Sequence, residues 1–209
     1  MNGGKMSERS IVNRVKDHVI EVLSKQLADH MTYHSINHTL DVVASAEEIA
    51  ATQNLSDEEM EIVQIAAWFH DIGYTKGCEN HEKNGASLAK EFLNKLDYPE
   101  EKTEKVIGCI MATQMPQNPT NTMEKVLCDA DLMHLADENY FHKANLLHKE
   151  IENTKFCKIP ESEWFQMNEE FLDKHCFFTE YARKNYELAV KENLKKVRDR
   201  LKSWQKAKK

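Results

Sequence analysis

The chain has 209 residues, 41% hydrophobic and 30% charged, which is enough for one domain with a sizeable core and too little to require two. Six glycines and four prolines leave few helix-breaking positions, so an all-α fold is expected, and a formal net charge of -7 disfavours a general nucleic-acid binder because phosphate backbones attract excess Lys and Arg. No apolar stretch reaches membrane-spanning length, the first ten residues (MNGGKMSERS) are polar, and five cysteines lack any CxxC spacing, so cytoplasmic residence with buried, reduced thiols is expected.

Residues 1–7 read as a disordered start, since Gly3 and Gly4 have nothing apolar to anchor them. Ile11, Val15, Val19, Val22, Leu23 and Leu27 then form an apolar stripe, giving a first helix from about Glu8 to His30. A second helix runs from about Asn37 to Gln53, with Leu40, Val43, Ala44 and Ala51 turned inward. Ser56 and Glu59 carry a capping-box signature ahead of the run from Ile62 to Phe69, which is apolar on nearly all sides. That third helix belongs at the centre of the domain. Its C-terminal end carries His70 and Asp71, and Gly73 and Gly77 mark the exit into a loop.

Further helices are expected at about Glu82 to Leu96, Pro99 to Thr113, Asn121 to Leu135, Glu138 to Thr154, Glu161 to Asp173 and Thr179 to Trp204. The stretch MPQNPTN, Met115 to Asn121, is a loop because it holds two prolines. In the last helix Val190, Leu194, Val197, Leu201 and Trp204 make a packing seam that either docks on the domain or forms a homodimer contact. The basic residues from Lys191 to Lys209 read as the solvated face of the same helix.

The chemistry lies in a few imidazoles and carboxylates. His70 and Asp71 end an apolar run, His38 lies upstream, and Asp129 and Asp131 lie in the apolar segment VLCDADLMHL. Burying two carboxylates there costs several kcal/mol unless a cation or hydrogen-bond donors compensate, although either aspartate can instead cap a helix. Two nitrogens with two carboxylate oxygens make a borderline metal site, suited to Mn, Fe, Co, Ni or Zn rather than Ca. His34 and His38 are four apart, so one can bind metal while the other reaches a substrate. His70 and Asp71 would diverge within a helix, yet near a helix end both can face one ion.

Three segments carry a resemblance. YHSINHTLDVV from Tyr33, AAWFHDIGY from Ala66 and CDADL from Cys128 together resemble the HD-domain superfamily of metal-dependent phosphohydrolases, whose ordered signature is a His, a HisAsp pair and a distant Asp. The resemblance implies a single-domain bundle of about eight to ten helices over residues 8–205, with a metal-binding core at about 30–140 and C-terminal helices at 141–205. It implies one divalent metal held by His38, His70, Asp71 and Asp131, with Asp71, or Asp129 behind it, orienting the attacking water. His34 is similar in position to the proton donor of the cyclic-nucleotide phosphodiesterase branch.

His81 matches a position where two-metal members carry a further ligand, but the next such His is absent from IMATQMP near Thr113. A single metal is therefore expected, with His81 and Glu82 as supporting or substrate-binding groups. The acidic pair used by the alarmone hydrolases and the bacterial deoxynucleotidases is replaced by Ile72, Gly73, Tyr74 and Thr75, which weighs against both substrates. What the resemblance leaves is hydrolysis of a phosphoester or phosphoanhydride of a small, nucleotide-like molecule. Lys76, Lys83 and Lys143, or His175 with Arg183, are candidates to offset phosphate charge. The alternatives are a non-catalytic nucleotide-sensing module and, less favoured because ligands are missing, an iron oxygenase of the same fold.

Overall fold

The computed structural model describes residues 10–155 and 157–207, so the expected disordered start and the first residues of the expected first helix lie outside the described residues. Among the described residues the chain forms nine α-helices and no strand. Helix α1 spans Ile11–Gln26, α2 Ile36–Ala50, α3 Asp57–Phe69, α4 His81–Lys95, α5 Glu100–Ala112 and α6 Thr122–Asp131. Helices α7, α8 and α9 follow at Tyr140–Lys155, Glu161–Lys174 and Glu180–Ala207. Short 3-10 turns at Ile72–Lys76 and Met133–Ala136 follow α3 and α6.

Local chemistry sets several of these boundaries. The Ser10 side chain accepts from the Asn13 N–H, and Ser56 and Glu59 complete a reciprocal capping box at the start of α3. Asn121 does the same for Glu124 at the start of α6. The expected sixth helix is cut short: Leu132 takes φ -96° and ψ 9°, so α6 stops at Asp131 and the chain tightens into the second 3-10 turn. The first helix likewise ends at Gln26, before His30.

Two apolar clusters organise the bundle. The first joins α1 to α6 around α3, whose Ile62, Val63, Ile65, Ala66, Ala67 and Phe69 are completely buried. Val15, Val19 and Leu23 of α1 belong to this cluster, so α1 packs with the helices that carry the cage. The second cluster joins α7, α8 and α9 through Tyr140, Trp164, Phe165 and Leu172. Val190, Leu194, Val197 and Leu201 are buried within it, so the seam of α9 packs inside the chain. Met133, in the second 3-10 turn, touches both clusters.

Only Cys109 and Cys128 are the buried thiols anticipated, whereas Cys78, Cys157 and Cys176 are exposed. Each of the three sits outside both apolar clusters. No described helix is long and apolar enough to cross a membrane.

Candidate metal centre and its cavity

The centre of the site is the join between α3 and the turn that follows it. His70 still has helical backbone (φ -53°, ψ -39°), but Asp71 moves to φ -109° and ψ 2°, which swings its carboxylate back toward the His70 ring. The turn lies hard against the start of α4: a Cβ on Gly73 would stand 1.9 Å from the His81 carbonyl oxygen, so only glycine fits there. Gly85, on α4, makes the matching approach, its Cβ position being 3.1 Å from the Phe69 carbonyl oxygen.

Three elements converge on this join. His38 enters from the first turn of α2, Asp131 from the last residue of α6, and both meet His70 and Asp71. Asp71 Oδ2 is 3.1 Å from His70 Nε2 and 3.2 Å from His38 Nε2. Asp131 Oδ1 is 3.3 Å from His38 Nε2 and 3.7 Å from His70 Nε2. His38, His70 and Asp71 are buried, and their ligand atoms lie within 4.8 Å of one another.

Two details suit this cage to a cation. His70 Nδ1 donates to the Ala67 carbonyl at 2.8 Å, which fixes the proton on Nδ1 and leaves the Nε2 lone pair facing the cage. Asp71 Oδ2 is buried and has no hydrogen-bond donor, an expensive state for a carboxylate oxygen unless a positive charge sits beside it. The electrostatics agree. Burial alone would raise the Asp71 pKa, yet the imidazoles of His70 and His38 hold it well below the usual carboxylate range. Burial alone would likewise lower the two histidines, but Asp131 and Asp71 bring His38 up to about 10, and Asp71 leads in raising His70. The cage favours positive charge between its carboxylates.

A cavity of about 310 Å³ opens against the cage. His34 stands at its wall, one residue before the Ser35 cap of α2, and is held from α7. The buried Glu150 carboxylate accepts from His34 Nδ1, from the Tyr33 N–H at 2.8 Å and from the His34 N–H at 3.0 Å. His34 Nε2 is left toward Tyr74, whose hydroxyl is 3.3 Å away. The rings of His34, Tyr74 and His81 stack in sequence, with centroids 4.2 and 4.0 Å apart. His81 Nε2 lies 3.8 Å from Asp71 Oδ1 and 3.5 Å from Glu82 Oε1, so His81 and the buried Glu82 flank the cage. Tyr33 lies under His38, its buried hydroxyl unpartnered, and burial with the nearby Asp131 and Asp71 charges pushes its phenol well above the usual range.

Other residues singled out from the sequence do different work. Asp129 does not reach the cage: its carboxylate accepts from the Phe178 and Thr179 N–H groups at 2.8 Å and from the Thr179 hydroxyl at 2.7 Å, tying α6 to the start of α9. Lys76 and Lys83 are exposed and lie outside the cavity lining, because the turn and the first turn of α4 direct them to solvent. Lys143 does line the cavity but is paired with Asp41 at 2.8 Å and Asp137 at 2.7 Å. Arg183 donates to the Phe177 and Phe178 carbonyls, His175 packs against Phe171 and Phe177, and neither lines the cavity beside the cage.

Tyr33, Tyr74, His134 and Glu150 were not anticipated as site residues. The two tyrosines lie inside the segments that carry the HD resemblance, and His134 lies three residues after Asp131. Glu150 has no local signal: it sits in the charged stretch HKEIEN, where nothing distinguishes it from an exposed helix face.

The family model of the HD domain matches residues 35–136, which contain His38, His70, Asp71 and Asp131. Among solved structures, a predicted HD-superfamily hydrolase from an uncultured Thermotogales bacterium superposes with a TM-score of 0.64 at 24% identity, covering 98% of this chain and 99% of that one. A protein from Lactobacillus plantarum superposes with a TM-score of 0.65 at 13% identity, over 92% of this chain and 97% of that one. No curated protein matches the sequence.

Proposed function

We infer, from the HD domain that residues 35–136 form, that this chain is a metal-dependent hydrolase acting on a phosphoester or phosphoanhydride of a small molecule. The observation that carries the reading is the orphaned Asp71 Oδ2, buried between two imidazole nitrogens one of which is fixed as a lone-pair donor. His38, His70, Asp71 and Asp131 would hold one divalent cation. Such an ion supplies Lewis-acid polarisation of a phosphoryl oxygen and lowers the pKa of water from about 15.7 toward 7.

The remaining groups have roles that follow from their contacts. Glu150 accepts from His34 Nδ1, so a His34 ring protonated on both nitrogens presents its Nε2 proton to the cavity and can pass it to a departing oxygen. Tyr74, stacked between His34 and His81, limits how far either ring can turn. His81, beside Asp71 Oδ1, and Glu82, beside His81, would accept from water near the cage.

Elemental analysis of the purified protein, followed by chromatographic detection of product release (nucleoside, nucleotide, alcohol, phosphate or pyrophosphate) from nucleotides, cyclic nucleotides and model esters with Mn, Fe, Co, Ni or Zn added, tests the reading. About one metal per chain and metal-dependent release are expected. Tight nucleotide binding with no release under any metal would mean a sensing module instead.

A further inference from the structure

The cavity has two unlike sides. One carries the cage with His34, Tyr74, His81 and Glu82; the other is the face of the second apolar cluster, with Leu132, Leu135, Leu147, Trp164 and Phe171. Met115 and Met167, which also line it, are 54% and 50% exposed, an unusual state for large apolar side chains at a cavity rim.

Most of the polar groups on this second side are already engaged. Tyr140 donates its hydroxyl to Asn168 Oδ1 at 2.6 Å, and Asn168 Nδ2 donates to the Trp164 carbonyl at 2.7 Å. Thr113 donates to the Ile110 carbonyl at 2.8 Å, and His134 Nδ1 is 3.2 Å from the Asp131 carbonyl oxygen. The Trp164 indole N–H has no partner, but it is closed off from solvent. Lys143 is the one Lys or Arg in the described lining, and two carboxylates hold it. Asp71, Glu82 and Asp131 line the same space.

These facts bear on what can sit there. A nucleobase brings several ring donors and acceptors that would leave water for a side offering few free partners, and each one left unpaired weakens binding. A polyphosphate brings several negative charges to a cavity with three carboxylates, where beyond the one expected ion and the imidazoles no Lys or Arg of the described lining is free to meet them. An apolar group gains from the same wall, at roughly 25 cal/mol per Å² removed from water.

We propose that the ligand of this site carries a single phosphoryl group on an apolar organic group, aromatic or alicyclic, with the phosphoryl at the cage and the apolar group against Trp164, Leu147 and Phe171. The proposal rests on the hydrolytic reading above and deepens it by giving the leaving group its chemistry.

The test is calorimetric titration of the metal-loaded protein with the non-hydrolysable 1-naphthylphosphonate, set against AMP, ATP and inorganic phosphate. The naphthyl compound is expected to bind at least roughly tenfold tighter than any of the three. Met167→Lys, a change at a half-exposed rim position, should weaken naphthylphosphonate binding about fivefold without weakening inorganic phosphate, because the new ammonium must lose water beside the apolar group. Leu188→Lys, at an exposed residue outside the cavity lining, should change neither. AMP or ATP binding as tight as the naphthyl compound, or a Met167→Lys variant that binds it unchanged, overturns the proposal. Phosphate release from 1-naphthyl phosphate and from AMP, read in parallel, separates the two levels. Aryl preference without turnover overturns hydrolysis and supports the ligand class, whereas turnover favouring AMP does the reverse.

Discussion

Asp71 Oδ2 stands 3.1 Å from His70 Nε2 although the two residues are chain neighbours. Successive side chains on a helix diverge by about 100°, so this closeness exists only because α3 ends at the pair and Asp71 leaves helical backbone. Asp71→Asn keeps the shape and removes the charge. Metal affinity should fall by at least about 100-fold, beyond what losing a supporting partner costs, while far-ultraviolet circular dichroism stays unchanged. Wild-type metal content in the Asn variant would remove Asp71 from the ligand set.

Glu150 positions His34 from a helix that carries none of the expected metal ligands. Glu150→Gln should lower kcat roughly 10- to 100-fold with KM within about threefold, since it disturbs proton delivery and not binding. Glu150→Ala strands the Tyr33 and His34 N–H groups as well and should cost about 2–4 kcal/mol of stability. Equal kinetics for wild type and Gln would leave Glu150 with a structural role alone.

The same carboxylate sets an acid limit. Burial pushes the Glu150 pKa up, but the bonds from His34 and from the two backbone N–H groups outweigh it and bring it below the usual glutamate value of 4.5. A carboxylate depressed in the folded state stabilises above its unfolded value, and that contribution fades as pH falls through the folded one. The stability gap between wild type and Glu150→Gln, measured by urea denaturation, should therefore narrow below about pH 4.5.

His175 makes a separate acid sensitivity far from the cage. Burial between Phe171 and Phe177 pulls its pKa from 6.5 down to about 4, with its Nε2 unpartnered. The unfolded chain takes up the proton first, so this contribution is complete above pH 6.5 and is lost as pH falls toward 4. His175→Phe should flatten the urea midpoint across that window. A slope identical to wild type would mean that His175 is not a source of it.

Gly73 gives the fifth test. A methyl group there meets the His81 backbone, not a movable side chain, so Gly73→Ala should destabilise by about 3 kcal/mol, or roughly 10 °C in Tm. Metal affinity should fall as well, since the turn orients Asp71. A variant that keeps both would mean the turn and α4 can separate freely.

The helices, the central place of α3 and the four cage residues were legible because each rests on a local pattern: a stripe, a cap, or a polar residue ending an apolar run. Asp129 shows where that stops. Its apolar surroundings demanded a partner, and it has three donors, but they come from residues 178 and 179, which no spacing near Asp129 could name. Glu150 fails in the opposite sense, since its sequence neighbours are charged and its burial arises only when α7 crosses the start of α2. Lys76 and Lys83 were offered by proximity in sequence to the cage, whereas the 3-10 turn and α4 point them away from it.

The two apolar clusters divide the site between them. The cage belongs to the segment ending at Asp131, and most of the wall that would receive the leaving group belongs to α7 and α8, with Met133 as a shared hinge of packing. The cage and most of the apolar wall thus lie on different stretches of the polypeptide, joined by Glu150 of α7, which reaches back to His34. If the ligand seats as proposed, substitutions on the α7 and α8 wall that spare Glu150 should change ligand preference while leaving the four cage residues in place, which makes that wall the natural ground for redesign.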